Sequence, residues 1–348
     1  DELVFDGGSF VVNDLGEIIY QASSFKEEVF HLDIDLKTNK QNDKSPLIIR
    51  PKTIELKDVE SKASLSKNES IYSALKLGLK DYVRKNKFTK VLIGISGGID
   101  SALTAAICVD ALGAENVIGV AMPSKYNSKD SLDDAIKLSD NLGITLKTIE
   151  IEKLVDDFRE TLTNSLNEDL GQITDENIQS RVRGNILMGL SNQTGAMVVS
   201  TGNKSEMAVG YSTLYGDLAG GFALIKDLYK TKVYELSNYI NSISDAIPKN
   251  IITKEPSAEL RPNQFDSDSL PDYEVLDKIL NLYIEEDSSS EKIIASGVDP
   301  DLVFDVLEKV DRNEYKRKQV APGVKLTQKA FGKDRRMPIT NTYIRQKE

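Results

Sequence analysis

Between residues 90 and 200, short apolar runs alternate with stretches of helical periodicity, and this alternation constrains the fold more than any other feature of the chain. KVLIGI, VIGVAM and AMVVST are brief and apolar, and ITLKTIEI reads as a further strand. SALTAAICVDALG, SKDSLDDAIKLSDNLG and ENIQSRVRGNILMGLSNQTG lie between them, and each closes on a glycine that can cap a helix C-terminus. Strands that are apolar throughout are buried on both faces. The pattern therefore predicts an α/β fold, a doubly wound parallel sheet with helices on both faces. Ligands of such sheets bind beyond the carboxyl ends of the strands, where strand order reverses. Gly94 to Ser101 and Thr201 to Glu206 stand at such ends, so both should face one crevice.

The flanking segments read differently. DELVFDGGSFVVNDLGEIIYQASSF gives strand, turn and strand, too little to stand as a domain. Residues 37–68 are polar and mostly aperiodic, which predicts a linker, and a helical pattern begins at Glu69. From about Asp272 the pattern is helical, then irregular after Ala321, which predicts a tail ordered only over a ligand or a partner.

Composition narrows the function. A chain of 348 residues with 40% hydrophobic side chains can build a substantial core. No apolar run approaches the roughly 20 residues that span a bilayer, and no secretory leader is present at the start, so no membrane association and a cytoplasmic location are expected. The net charge of −11 opposes general binding to nucleic acid. Two basic clusters, RNEYKRK (312–318) and KDRR (333–336), instead point to a small phosphorylated ligand or to solvated surface. The single cysteine, Cys108, excludes a disulfide framework and a cysteine metal cluster, and packing is its expected role. His31, the only histidine, lies in VFHLDID and reads as an ordinary strand side chain.

The stretch GISGGIDS (94–101) carries the chemistry. As G-x-S-x-G it fits a serine-hydrolase elbow, but that mechanism needs a histidine after the serine, and His31 precedes it. As a nucleoside-triphosphate P-loop it lacks the lysine after the glycines. The backbone reading remains. Ser96, Gly97 and Gly98 leave room for successive N–H groups to turn inward as an anion nest at a helix start. Ser101 adds a hydroxyl, and Asp100 is suited to hold magnesium against the same phosphates.

The SGGxDS arrangement resembles the ATP pyrophosphatases, which cleave ATP between the α and β phosphates. Further blocks narrow the resemblance: VAMPSKY, ENIQSRVRGN, VVSTGNKSEMAVGYSTLYGD, IKDLYKTKVYEL, KEPSAELRPNQFDSDSLPDYEVLD and EYKRKQVAPGVKL occur in the order found in the NAD synthetase family. The resemblance covers residues 69–348 and implies a Rossmann-like fold of the adenine nucleotide α-hydrolase type. The implied reaction is the amidation of nicotinic acid adenine dinucleotide with ATP, through an adenylylated carboxylate, releasing pyrophosphate and AMP. It also implies a homodimer. Residues 1–36 resemble the last strands of a nitrilase-like glutaminase domain whose Glu-Lys-Cys set is expected upstream of residue 1, so ammonia is the expected nitrogen donor for this chain.

Carried over residue by residue, the resemblance assigns ATP binding to Gly94, Ile95, Ser96, Gly97, Gly98, Ile99, Asp100, Ser101, Thr201, Lys230 and Ser257. Asp100 and Glu206 match acidic positions at magnesium, Glu206 also facing substrate. Asn177, Tyr211, Ser212, Thr213, Leu214 and Lys316 match positions that bind the deamidated dinucleotide. Arg181 and Arg183 share a helix with Asn177 and serve either phosphates or salt bridges. Lys230 is expected to neutralise phosphate charge in the transition state. Asp217 is the candidate for binding ammonium or taking its proton. The RNEYKRK cluster becomes a candidate phosphate clamp. The alternatives are another SGGxDS enzyme, such as a GMP synthetase or a tRNA-modifying ligase, and a nucleotide-binding module without catalysis.

Overall fold

The computed structural model describes residues 2–13, 15–32 and 65–340, in two compact units. Within one unit, β1 (Phe10–Val12) pairs antiparallel with β2 (Ile18–Gln21). Asn13 makes the turn: its Oδ1 accepts the N–H groups of Leu15 at 3.0 Å and Glu17 at 2.9 Å. Most of the expected linker lies outside the described residues. Its last two residues, Lys67 and Asn68, already belong to α1 (Lys67–Lys85).

The larger unit holds β3 (Val91–Gly94), β4 (Val117–Ala121), β5 (Thr145–Thr148), β6 (Met197–Ser200) and β7 (Phe222–Ala223), joined in the order β5-β4-β3-β6-β7 with every pair parallel. From β3 the chain builds outward through β4 and β5. It then returns to the other side of β3 for β6 and β7, so strand order reverses between β3 and β6.

Side-chain alternation along the strands sorts the layers. Val91 and Ile93 of β3, with Met197 and Val199 of β6, pack against α1, α2 (Ile99–Leu112) and α7 (Lys230–Ser244). Leu92 and Val198 point the opposite way, onto α4 (Glu152–Leu166) and α5 (Gln172–Thr194). On the same face as α2 lies α3 (Lys129–Leu142), which buries Ala135 and Leu138 there; it is started by Ser128, whose side chain accepts the N–H of Ser131, and ended by Gly143 at φ 66°. The doubly wound sheet read from the sequence is the fold observed. Among the elements that escape the reading are α4 and the two-residue β7, too short for any periodicity.

A helical lobe completes this unit. The short α6 (Lys204–Val209) packs with α9 (Tyr273–Leu280) and α11 (Pro300–Arg312); α10 (Ser290–Ala295) packs on α11, and α12 (Glu314–Arg317) on α6 and α11, while α8 (Lys249–Thr253) joins α2 and α7 in the core beside the sheet. The described residues after Ala321, 322–340, depart from expectation, because other parts of the protein hold them. Pro322 accepts the N–H of Ala223 at 2.8 Å, and Asp227 takes the N–H groups of Leu326 and Thr327. Among the described residues no helix is long and apolar enough to cross a membrane.

Candidate active site

The glycine turn lies where β3 ends, at the point of strand reversal. Gly97 has φ 78°, and a Cβ there would sit 2.2 Å from the Ser131 carbonyl oxygen, so no other residue fits. Two serines brace the turn. Ser96 Oγ accepts the N–H of Gly98 at 3.2 Å, and Ser101 Oγ accepts that of Ser96 at 3.3 Å while donating to the Gly98 carbonyl at 2.9 Å. Two of the three N–H groups expected to form the nest are therefore engaged by hydroxyls. No side chain caps α2, so its first-turn N–H groups remain as anion donors.

Across the switch point, β6 runs into Thr201 and α6. Asn203 caps α6 reciprocally with Glu206: Asn203 Oδ1 accepts the Glu206 N–H at 2.9 Å, and Glu206 Oε2 accepts that of Asn203 at 3.3 Å. The Asn203 amide also donates to Asp100 Oδ1 at 2.9 Å. Lys230, the first residue of α7, brings its buried Nζ to 2.5 Å from Asp100 Oδ2 and 3.4 Å from Glu206 Oε1, with the Tyr273 ring 5.1 Å away.

A third carboxylate, Asp266, stands near this cluster and accepts the Tyr273 hydroxyl at 2.8 Å. Burial, then the Asp100 charge, push the Glu206 carboxyl up to about 8 against the pull of Lys230. Burial raises Asp266 as well. Burial opposes the Lys230 charge, yet Asp100 and Glu206 outweigh it and hold the ammonium above its ordinary range. Three carboxylates facing one lysine suit an added divalent cation. Magnesium is normally held by one or two carboxylates plus phosphate and water, as Asp100 and Glu206 offer. Among the described residues no three His, Cys, Asp or Glu side chains are grouped as a metal cage of their own.

The other end of the site is built by the loop after α6, laid on α5. A Cβ at Gly184 would lie 2.8 Å from the Tyr215 carbonyl, and one at Gly216 only 2.2 Å from Ser180 Oγ, so small residues let the loop approach. Thr213 donates its hydroxyl to Asn177 Oδ1 at 2.7 Å and its N–H to Asp217 Oδ1 at 2.6 Å. Lys316 Nζ donates to the carbonyls of Gly210 at 2.7 Å and Ser212 at 2.8 Å. The Asp217 side chain is exposed where the cavity opens to solvent. Desolvation by the protein packed around its carboxyl still pushes it up to about 6, against the N–H of Thr213 and the charge of Lys316.

Both ends line one cavity of about 770 Å³. Gly94, Ile95, Ser96, Gly98, Ile99, Asp100, Ser101, Asn177, Thr201, Glu206, Tyr211, Ser212, Thr213, Asp217, Lys230, Ser257 and Lys316 all reach it. Three expected residues do not. Gly97 serves the turn from behind, exposed Arg181 donates to the Leu214 carbonyl at 3.2 Å, and Leu214 packs beside Met207 and Leu218. Arg183 does line the cavity, bound to the Met122 carbonyl at 3.0 Å and Asn127 Oδ1 at 3.2 Å.

The basic cluster disperses because helical spacing aims its members apart. Arg312 pairs with Glu308 at 2.7 Å, Arg317 is buried against the Ala208 carbonyl at 2.7 Å, and only Lys316 reaches the cavity. Of KDRR, Arg335 bonds Asp287 at 2.8 Å. Sequence reasoning missed Asn203, Asp266 and Glu259. The Asn203 spacing to Glu206 is a capping-box signal that was available. Glu259, at φ 48°, ties its loop to Asn127 at 2.7 Å and Ser131 at 2.7 Å, and neither it nor Asp266 has any local signal.

Comparison with known proteins bears on this geometry. The NAD synthase family profile matches residues 71–320. A glutamine-dependent NAD(+) synthetase of Thermotoga maritima is 50% identical over 99% of this chain, and one of Aquifex aeolicus 48% identical over 99%. The chain spans 63% and 64% of those relatives, a little under two thirds of their length. The structure of glutamine-dependent NAD+ synthetase from Acinetobacter baumannii in complex with ADP is similar, with a TM-score of 0.65 and 46% identity, covering 97% of this chain and 59% of that one. The NH3-dependent NAD synthetase of Campylobacter jejuni, with a TM-score of 0.60 and 30% identity, covers 73% of this chain and 97% of its own.

Proposed function

The chain belongs to the NAD synthase family, and from that premise we propose that it amidates nicotinic acid adenine dinucleotide to NAD, using ATP, magnesium and ammonia. The observation that carries this reading is the Asp100–Lys230–Glu206 cluster beside the glycine turn, in a cavity whose far end gathers Asn177, Thr213, Asp217 and Lys316. The first end suits a triphosphate, and the second suits the molecule to be amidated.

In the first half-reaction a carboxylate oxygen of the dinucleotide attacks the α-phosphorus of ATP. The bond from that phosphorus to the bridging oxygen breaks, and pyrophosphate leaves. Negative charge grows on the α-phosphate and on the leaving group. Buried Lys230 and the first-turn N–H groups of α2 are preorganised donors for it. Asp100 and Glu206 would hold magnesium, which would supply further positive charge there.

In the second half-reaction the ammonia lone pair attacks the activated acyl carbon. The bond from that carbon to the AMP oxygen breaks, AMP departs, and the nitrogen loses a proton. Asp217 is suited to bind ammonium and to take that proton. A carboxyl raised to about 6 is ionised at neutral pH, yet more basic than an ordinary aspartate. Asn177, Tyr211, Ser212, Thr213 and Lys316 position the dinucleotide.

Ammonia as donor is supported by the state of Cys108. It is fully buried, and burial holds its thiol far above the usual range, so it is not a nucleophile for glutamine. We assign residues 1–36 to the end of a glutaminase domain, 37–68 to a linker and 69–348 to the synthetase, which acts as a homodimer.

The test is NAD formation by the purified chain with ATP, magnesium and nicotinic acid adenine dinucleotide, with ammonium or glutamine as donor. NAD, AMP and pyrophosphate in equal amounts from ammonium alone are expected. Turnover with glutamine overturns the donor assignment, and turnover with neither overturns the reaction.

A further inference from the structure

The first four residues of the α6 region point to four different places. Asn203 reaches Asp100 at 2.9 Å, and Glu206 reaches Lys230 at 3.4 Å. Ser205 accepts the backbone N–H of Lys230 at 2.9 Å and donates to Asp277. Lys204 turns away from the cavity and is fully buried, with Glu285 at 2.5 Å and Asp227 at 2.9 Å. Its Nζ also donates to the Thr327 hydroxyl at 2.6 Å and to the Lys329 carbonyl at 2.9 Å.

Two carboxylates around one ammonium leave surplus negative charge in the interior, which a fold tolerates only if the remaining oxygens are hydrogen-bonded. The segment 326–329 supplies those bonds. The N–H groups of Leu326 and Thr327 reach Asp227 Oδ2 at 2.7 and 2.8 Å, and that of Lys329 reaches Glu285 Oε2 at 2.8 Å. The Thr327 hydroxyl accepts from Lys204 and donates to Asp227 Oδ1 at 2.9 Å, so it joins the lysine to its counter-ion. Helix α6 has only six residues, and its placement depends on what its first turn holds.

We propose that residues 326–329, acting through Lys204, are positioning residues for the reaction site. They fix the first turn of α6, and with it the contacts of Asn203 and Glu206 to Asp100 and Lys230. A segment remote from the cavity thereby sets the geometry of the two carboxylates read as magnesium ligands. The inference rests on the reading of that cluster as the ATP and magnesium site.

The test compares Thr327→Val, which removes the hydroxyl and keeps the shape, with Thr327→Ser, which keeps the hydroxyl. Lys325→Ala, which deletes a partly exposed ion pair to Asp334 at 2.8 Å, is the control on the same segment. Calorimetric binding of ATP is titrated with magnesium, alongside melting temperature and steady-state kinetics with ammonium. Thr327→Val should raise the magnesium concentration for half-saturation about tenfold and lower kcat comparably, the low end of what loss of a group supporting the ligands costs. KM for the dinucleotide should stay unchanged, Thr327→Ser should recover, and Lys325→Ala should behave as the parent. A folded Thr327→Val protein with parental magnesium dependence overturns the proposal, as does equal loss in the serine variant. If Thr327→Val does not fold, Lys204→Arg serves instead: it keeps the charge, and parental magnesium dependence in it overturns the proposal. A parent that binds no ATP with magnesium removes the functional reading itself, and the positioning role with it.

Discussion

Lys230 and Asp100, 130 residues apart in sequence, meet at 2.5 Å through Nζ and Oδ2 at the reversal of strand order. The contact holds a buried cation ready beside the glycine turn. Replacing Lys230 with methionine should keep most of the packing and remove the charge. Adenylylation is then expected to slow about 10²- to 10³-fold, the loss typical of one preorganised electrostatic donor. Single-turnover release of pyrophosphate measures this step alone, and a loss below about tenfold would place charge development elsewhere.

Asp217 should act in the other half-reaction. Its carboxyl, raised to about 6, becomes ionised as pH climbs through that value, so turnover at a constant concentration of free ammonia should show a rising limb centred near 6. Asp217→Asn should flatten this limb and lower turnover about 10²-fold. Pyrophosphate release in a single turnover should stay near the parental rate. An unchanged pH profile in the variant would rule Asp217 out as the proton-handling group.

Gly97→Ala tests the turn. The left-handed backbone there costs an alanine about 1–2 kcal/mol, and the new methyl must also displace the Ser131 carbonyl, 2.2 Å away. A lower melting temperature and loss of ATP binding by calorimetry are expected. An alanine variant that binds ATP as the parent does would show that the turn relaxes freely.

Glu206 makes stability depend on pH. Its folded value of about 8 lies above that of a carboxyl in the unfolded chain, so folding favours the protonated form. The stability this contributes is present below pH 4 and is lost as pH rises through about 8. Glu206→Gln keeps a neutral side chain at every pH and should be more stable than the ligand-free parent at pH 8 to 9, with the gap closing toward pH 4. Urea denaturation across that range tests this, and a pH-independent gap contradicts it.

Much of the fold was legible because its signals are local. β3, β4 and β6 show as apolar runs, and α2, α3 and α5 end at Gly113, Gly143 and Gly195, each with positive φ. β7 was not legible, because two residues carry no period and its existence depends on pairing with β6. The site was legible in part. Gly97, Asp100 and Glu206 sit in recognisable blocks, but Asp266 and Glu259 come from a loop whose course depends on the Tyr273 hydroxyl and on distant contacts with Asn127 and Ser131. The basic run around Lys316 misled for the same reason: charge in sequence does not say which way each side chain turns.

By itself the sequence determined the order of strands and helices along the chain, where the helices stop and where the glycine turn sits. Periodicity, caps and glycine backbone freedom act between residues a few positions apart. Only the tertiary structure decided that Lys230 answers Asp100 while Lys204, in the block that also holds Glu206, turns into a buried cluster with Thr327, 123 residues away. Two lysines of one composition and one charge differ in role because the direction of a side chain, and the partner it finds, are settled by the packing of elements far apart in the chain.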